Sequence, residues 1–371
     1  GWSLFASPSH ALMIAVAVLV ITCPCALGLA IPAANVLAAT KGVDRGILFA
    51  DGAALEALPG VTHVVLDKTG TVTTGHMEVA AIVSFDRSES EVLSLAAALE
   101  EGFEHPIARA ILSAARERDL VLPEVLDFQV VAGRGVTGQV SAGKAAIGSE
   151  ALLDSLGLAL DKGPRTSADV LKERGLTVSF VALDGEIIGI LGMRDEMRPD
   201  AVDTVKALQA QGIHVTLLSG DHRQAAELAG KALGVDQILS EVMPEEKQQV
   251  VRGLQAPDRV VIMVGDGVND APALAQADVG IAMGEGTDLS ITSAKVILLG
   301  DRLGLLLCAV RLAKDTQRVI RQNLILSAVY NALTIPLAVA GLVTPLFAAI
   351  VMPLSSLAVI GNSLRLTRKE A

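Results

Sequence analysis

The sequence predicts an α/β protein built on a doubly wound parallel sheet and anchored by three membrane-spanning helices. From Val61 onward, short β-branched runs alternate with helical stretches, a pattern of parallel strands joined by crossovers. Two long blocks, Gly1 through Thr40 and Gln322 through Leu364, contain no Asp, Glu, Lys or Arg. Hydrophobic residues make up 51% of the chain and aromatics only 2%, and its 371 residues suffice for two or three domains. The net charge of −11 gives no support for a nucleic-acid partner.

A bilayer core takes about 20 apolar residues per helix, so the first uncharged block fits one span and the second fits two. The turn between the last two falls near Gly341 to Pro345. Lys41 and Arg45 follow the first span, Arg311, Lys314, Arg318 and Arg321 precede the second, and Arg365, Arg368 and Lys369 follow the third. All three clusters share one side if the spans alternate in direction, and the positive-inside tendency makes that side the cytoplasm. The expected protein is therefore integral to the cell (inner) membrane, with lipid around three spans and a large cytoplasmic insert. The first block lacks the basic start of a signal peptide and stays apolar too long for one.

The first span contains "ITCPCALGLAIP", residues 21 to 32. Residues two apart on a helix face different directions, so a regular helix cannot aim Cys23 and Cys25 at one ion. Pro24 removes a backbone donor, and a locally unwound segment can bring both sulfurs to a common point. Thiolates favour soft Cu(I). Taken alone, the motif reads first as a kinked span with two incidental cysteines. Cys308, in an apolar run, reads as a packed thiol.

The insert carries phosphoryl-transfer chemistry. "HVVLDKTGTVT" is a β-branched run ending at Asp67, and open α/β sheets place their sites at the carboxyl ends of strands. Aspartate is a competent nucleophile toward phosphorus. "TLLSGD" ends a second strand with Ser219, Gly220 and Asp221, "MPEEKQQVV" places Lys247 on a helix, and "VVIMVGDGVNDAPAL" supplies Asp266, Asn269 and Asp270. Asp67 is the expected attacking group. Asp67, Asp266 and the Thr69 carbonyl suit Mg²⁺, a hard ion that prefers oxygen. Lys247 is placed to neutralise phosphoryl oxygens, Ser219 and the amides after it to donate to them, and Asn269 and Asp270 to orient the phosphate and Lys247.

These residues resemble the heavy-metal-transporting P-type ATPases, in their copper(I)-exporting branch. The signatures are Asp67-Lys68-Thr69-Gly70-Thr71, Gly265 to Pro272, and the hinge residues Asp195, Arg198 and Pro199, with Ser219-Gly220-Asp221 standing where the family has Thr-Gly-Asp. The resemblance implies a haloacid-dehalogenase-like phosphorylation domain at residues 61–75 and 190–300. It also implies an inserted α+β nucleotide-binding domain at 76–189, a span with its extension at 1–60, and a linking helix with two spans at 301–371. Glu100, His105, Gly133 and Gly135 are implied to bind the adenosine of ATP. Cys23 and Cys25, Tyr330 and Asn331, and Met352 and Ser356 are implied to form the site of transported Cu⁺, with Ag⁺ as an alternative ion. The zinc branch carries a Lys and an Asp-x-Gly in the last two spans, and neither occurs here.

The family also has an actuator domain with Thr-Gly-Glu, earlier spans and a cytosolic copper chaperone as partner. No Thr-Gly-Glu occurs in these residues, so the chain is expected to be the C-terminal part of a longer transporter. Two other classes compete with an ATP-driven pump. A membrane-tethered phosphohydrolase of the same fold commonly places an Asp two positions after its nucleophile, where this chain has Thr69. A passive metal-binding membrane protein has no use for the phosphorylation residues.

Overall fold

A computed structural model of the chain describes residues 7–23, 25–103, 105–131, 133–221, 223–266, 270–284 and 292–367. Asn269, Pro24, Arg368 and Lys369 lie outside them.

The chain enters through helices α1 (Pro8–Ile21) and α2 (Cys25–Asp44), followed by β1 (Ile47–Phe49), α3 (Gly52–Ala57) and β2 (Val61–Asp67). After an insert it continues with α8 (Ala201–Gln209), β9 (His214–Leu218), α9 (Arg223–Leu233), β10 (Gln237–Leu239) and α10 (Pro244–Leu254). Then come β11 (Val260–Gly265), α11 (Ala271–Gln276), β12 (Val279–Met283) and β13 (Val296–Leu298). These strands form a seven-stranded sheet in the order β1-β13-β12-β11-β2-β9-β10, parallel except for β1 at one edge.

The β-branched composition of β2 follows from burial on both faces. Val64 and Leu66 pack with Ile262, Val264 and Ile281 on one side, while Val65 joins Val261, Met263 and Leu218 on the other. Each such side chain, fully buried, contributes about 1.5–3 kcal/mol. The central strands β2 and β11 are thereby fixed, with their carboxyl ends side by side.

The insert holds β3 (Thr73–Ser84), α4 (Glu89–Glu100), α5 (Pro106–Glu117), β4 (Leu126–Val131), β5 (Gly135–Val140) and β6 (Gly143–Gly148), then α6 (Glu150–Ser155), α7 (Lys162–Glu173), β7 (Thr177–Leu183) and β8 (Glu186–Met197). Its sheet runs β3-β8-β7-β6-β5-β4, antiparallel throughout. Separate apolar cores fill its two faces, one beneath α4 and α5 and the other beneath α6 and α7. The β7–β8 hairpin turns at Asp184-Gly185 with φ of 51° and 90°, the positive pair that a two-residue hairpin turn favours. β3 and β8 pair from Thr73↔Met197 outward, so the insert joins the unit of the seven-stranded sheet through a two-stranded ribbon.

The chain ends in α12 (Leu305–Val339) and α13 (Pro345–Ser363). Three stretches are long and apolar enough to cross a membrane: Pro8–Asp44, Leu305–Val339 and Pro345–Thr367. One detail agrees with the locally unwound segment expected at the two cysteines, and one adds to the sequence reading. The first stretch is two helices that break between Ile21 and Cys25, beside a proline without an N–H to donate. The linking helix and the second span are one helix of 35 residues, because nothing between Leu305 and Pro336 interrupts the helical pattern. At about 1.5 Å per residue it spans roughly 50 Å, more than a bilayer core of about 30 Å. Its first turns bury Leu306, Ala309, Val310 and Ala313 in the core of the seven-stranded sheet, where Ala38 of α2 also packs.

Candidate functional site

Asp67 ends β2 and is 5% exposed. Its Oδ1 accepts from Lys247 Nζ at 2.6 Å, and the same ammonium donates to Asp270 Oδ1 at 2.7 Å. Lys247 comes from the first turn of α10 and Asp270 from the start of α11, so crossovers on one face of the sheet deliver both groups to the end of β2. Asp67, Asp266 and Asp270 each offer an oxygen within 4.8 Å of the others. Gly70, at φ 71°, lets the loop lie against Asp266, since a Cβ there would overlap that carboxylate. Thr73 Oγ1 shares its proton between the Lys68 carbonyl at 3.0 Å and Asp195 Oδ2 at 2.5 Å, and accepts from Gly70 N–H at 3.1 Å.

Lys68 forms an ion pair with Asp221. Ser219 is buried at the end of β9, and its hydroxyl accepts the Asp221 N–H at 3.1 Å, leaving its own proton to donate. The structure thus gathers Asp67, Lys247, Asp266 and Asp270 into one cluster, with Lys68 and Asp221 paired. Asn269 lies outside the described residues.

The electrostatics follow from crowding. Burial, reinforced by Asp270 and opposed by Lys247, pushes the Asp67 carboxyl up to about 7. Burial with Asp270 raises Asp266 to about 6. For Lys247, burial works against the ammonium, but Asp67 and Asp270 outweigh it and hold its pKa above the usual lysine value. Three carboxylates facing one ammonium form an anionic pocket whose donor set, all hard oxygens, fits a small divalent cation.

A cleft of about 680 Å³ opens beside this cluster, lined by Lys68, Thr69, Asp195 and Asp221 on one side and by Lys172 and Thr177 of the insert on another. Glu100, at the end of α4, is buried, and burial raises its carboxyl to about 7. His105 caps α5, its Nδ1 accepting from Ile107 N–H at 3.3 Å. Gly133 (φ 69°) has open space where a Cβ would point, whereas a Cβ on Gly135 would strike Ile147 and Gly148 of β6. Strand packing thus accounts for Gly135 without a ligand. A second cavity of about 720 Å³ lies on the β4–β6 face, with Phe128 on its wall and Phe103 packed against Phe128. None of Glu100, His105, Gly133 and Gly135 lines it.

In the membrane segment, Ile21, Ala338 and Ala348 form one apolar cluster, and Ala26, Ala30, Val359 and Leu324 form another. Cys23 and Cys25, Tyr330 and Asn331, and Met352 and Ser356 fall between these clusters along their helices, all half-buried. The hydroxyl of Tyr330 and the Oδ1 of Asn331 are buried with no hydrogen-bond partner. Cys23 and Cys25 are joined as a disulfide, so metal coordination by thiolates requires their reduction.

Sequence reasoning missed a polar layer below. Asn323 Nδ2 donates to Ser363 Oγ at 2.9 Å and reaches the Ala30 carbonyl at 3.4 Å, while its Oδ1 accepts from Asn362 at 2.9 Å. Ser327, buried and without a partner, lies one turn along α12 from Asn323. The signal was present as polar residues at helical spacing, Asn323, Ser327, Tyr330 and Thr334, within an otherwise apolar run.

An aspartate at the end of a central strand, a lysine from a neighbouring helix and a carboxylate loop, gathered at the carboxyl end of a parallel sheet, make a site suited to phosphoryl transfer. The family model of haloacid dehalogenase-like hydrolases matches residues 61–278, and the chain belongs to that family. It is 44% identical over 370 residues to a probable copper-exporting P-type ATPase V of Mycobacterium tuberculosis, covering 99% of this chain and 48% of that protein. It is 42% identical over 367 residues to a silver exporting P-type ATPase of Salmonella typhimurium, covering 96% and 44%. A crystal structure of a zinc-transporting PIB-type ATPase in its E2.Pi state superposes with a TM-score of 0.84 at 34% identity, covering 94% of this chain and 57% of that one. Within that family, then, the chain is similar to heavy-metal-transporting P-type ATPases, and it spans about half the length of the curated relatives it matches.

Proposed function

We propose that the chain is the phosphorylation and nucleotide-binding part, with three of the membrane spans, of an ATP-driven copper(I) exporter working through an aspartyl-phosphate. The observation that carries this reading is the Asp67–Lys247–Asp270 cluster with Asp266 beside it, on a sheet whose edge strand β1 continues from the cysteine-bearing helix α2. In the proposed division, residues 61–75 and 190–300 perform phosphoryl transfer. Residues 76–189 bring ATP, and 1–60 with 301–371 hold the metal.

Asp67, with an ionised carboxylate, attacks the γ-phosphorus. A bond forms from its oxygen to phosphorus, the bond to the β-phosphate oxygen breaks, and ADP leaves. Lys247 neutralises the charge of both carboxylates and then of the phosphoryl oxygens. Ser219 and the amide of Gly220 are the donors on the other side, with the Asp221 amide donating to the Ser219 hydroxyl and orienting it. Asp67, Asp266 and the Thr69 carbonyl would hold Mg²⁺, which would supply charge neutralisation there when bound. Because Thr69 occupies the place of a general acid/base, the phosphoenzyme is expected to persist long enough to be coupled to transport. Adenosine is assigned to Glu100, His105, Gly133 and Gly135. Of these, the buried carboxyl of Glu100 and the open space at Gly133 lend the reading most support.

Copper is favoured over zinc by side-chain chemistry, since the zinc-transporting neighbour has the same shape. The layer offers two sulfurs of a reducible pair, a thioether and neutral oxygens, with no carboxylate or ammonium between Gln322 and Leu364. The Salmonella relative's name keeps Ag⁺ beside Cu⁺ as cargo. A lipid bilayer around the three helices and a cytosolic copper chaperone complete the proposal. Incubation with Mg²⁺ and γ-labelled ATP tests the chemistry: an acid-stable, hydroxylamine-sensitive label is expected, and it should vanish in Asp67→Ala. Label that survives that substitution refutes the assignment of the nucleophile.

A further inference from the structure

We infer that Arg198 and Asp200 form a clasp that ties the loop after Asp67 to the start of α12, making Arg198 a positioning residue for coupling between the two. The inference rests on phosphorylation of Asp67 as proposed above. Arg198 follows β8 and is 3% exposed. Its Nε donates to the Thr71 carbonyl at 2.9 Å and its Nη2 to the Gly70 carbonyl at 2.8 Å. Its Nη1 donates to the Asp301 carbonyl at 2.6 Å, on the far side of the guanidinium. The backbone N–H of Arg198 donates to the Val72 carbonyl at 2.9 Å, so the residue is held to the loop at both ends. Two residues on, Asp200 accepts from Gly304 N–H at 2.8 Å and Leu303 N–H at 3.3 Å, two amides that precede α12.

The geometry suits transmission. A guanidinium is planar and rigid, and its donors are fixed relative to one another. A shift of Gly70 and Thr71 therefore moves Asp301 or breaks a bond to it. Gly70 itself lies against Asp266, so a phosphoryl group on Asp67 or a cation on the carboxylates acts on this part of the loop first. On the other side, α12 runs without a break from Leu305 to Tyr330 and Asn331 of the candidate metal layer. Lysine has one ammonium and cannot span the same three carbonyls. A residue that served only local stability would have no reason to engage Asp301 as well as the loop.

Hydrogen exchange on the full chain in detergent tests the clasp, with Mg²⁺ and beryllium fluoride as the stand-in for a phosphoryl group on Asp67. In the unsubstituted chain, the mimic is expected to change exchange severalfold both at residues 68–72 and at residues 303–310. In Arg198→Lys, the first change should remain and the second be lost. A response at 303–310 equal to that of the unsubstituted chain overturns the inference, as does silence there in the unsubstituted chain while 68–72 responds. If Arg198→Lys fails to fold or loses the response at 68–72, Asp200→Ala decides, because it leaves the loop contacts intact. Loss of the response at 303–310 in that variant supports the clasp, and its full retention overturns it. No change at 68–72 in the unsubstituted chain counts against the phosphorylation reading itself, and the inference falls with it.

Discussion

Replacing Asp67 by asparagine is expected to stabilise the protein while abolishing phosphorylation. Asp67 is held where its charge is unwelcome: buried, beside Asp270 and Asp266, with one ammonium shared between two carboxylates. Its pKa is raised from 3.8 to about 7. At ~1.36 kcal/mol per pH unit, ionisation in the folded state costs roughly 4 kcal/mol relative to the unfolded chain. Because the folded value lies above the unfolded one, this group's stabilising share is whole below about pH 4 and is lost as pH rises through about 7. The amide of the Asp67→Asn variant cannot ionise, but it also gives Lys247 a weaker partner. That discount leaves an expected gain of about 2 kcal/mol at pH 8, or roughly 4–8 °C in unfolding midpoint for a unit of this size. Thermal unfolding of the detergent-solubilised chain in EDTA, from pH 4 to 8, is the assay. The gain should shrink as pH falls and disappear near pH 4. A midpoint lowered at pH 8, or a difference independent of pH, refutes the reasoning.

Lys247→Met removes the ammonium that Asp67 and Asp270 share and leaves their buried charges without it, so a loss of about 3 kcal/mol is expected near pH 8, partly recovered at pH 5.5; unfolding midpoints at both values check it. Gly70→Ala puts a Cβ into the Asp266 carboxylate in a left-handed backbone, and phosphorylation should fall at least tenfold, on the order of the 1–3 kcal/mol such strain costs; wild-type phosphorylation rates would remove the close approach from the mechanism. His105→Gln is expected to weaken ATP binding without unfolding the insert, since glutamine also accepts a hydrogen bond; unchanged nucleotide affinity would leave His105 only its capping of α5.

The sequence made β2 legible because a parallel strand buried on both faces must be a continuous apolar run, and the run ends at Asp67. The uncharged blocks were equally plain, since a bilayer leaves little choice of side chain. What could not be read depended on register and crossing. The crowding of Asp67, Asp266 and Asp270 exists only because β2 and β11 are neighbours with aligned ends. Arg198 stood in a recognised hinge motif, yet nothing in its neighbours told that its guanidinium reaches Asp301, 103 positions away. The layer of Asn323, Asn362 and Ser363 was hidden because polar residues in a span are individually ambiguous, and two helices far apart in sequence must meet before they find each other. The continuity of α12 was missed for a simpler reason: a change from charged to apolar composition is not a helix break.

The central claim is that phosphate reaches Asp67 in response to a soft monovalent ion at the cysteine layer. Phosphorylation by ATP should be measured on the reduced protein with Cu⁺, Ag⁺ or Zn²⁺ added, and with Cys23→Ser/Cys25→Ser alongside. Cu⁺ and Ag⁺ are expected to change the phosphoenzyme level, Zn²⁺ to leave it unchanged, and the double substitution to abolish the response while ATP still binds. A zinc response, or a copper response that survives loss of both cysteines, contradicts the claim.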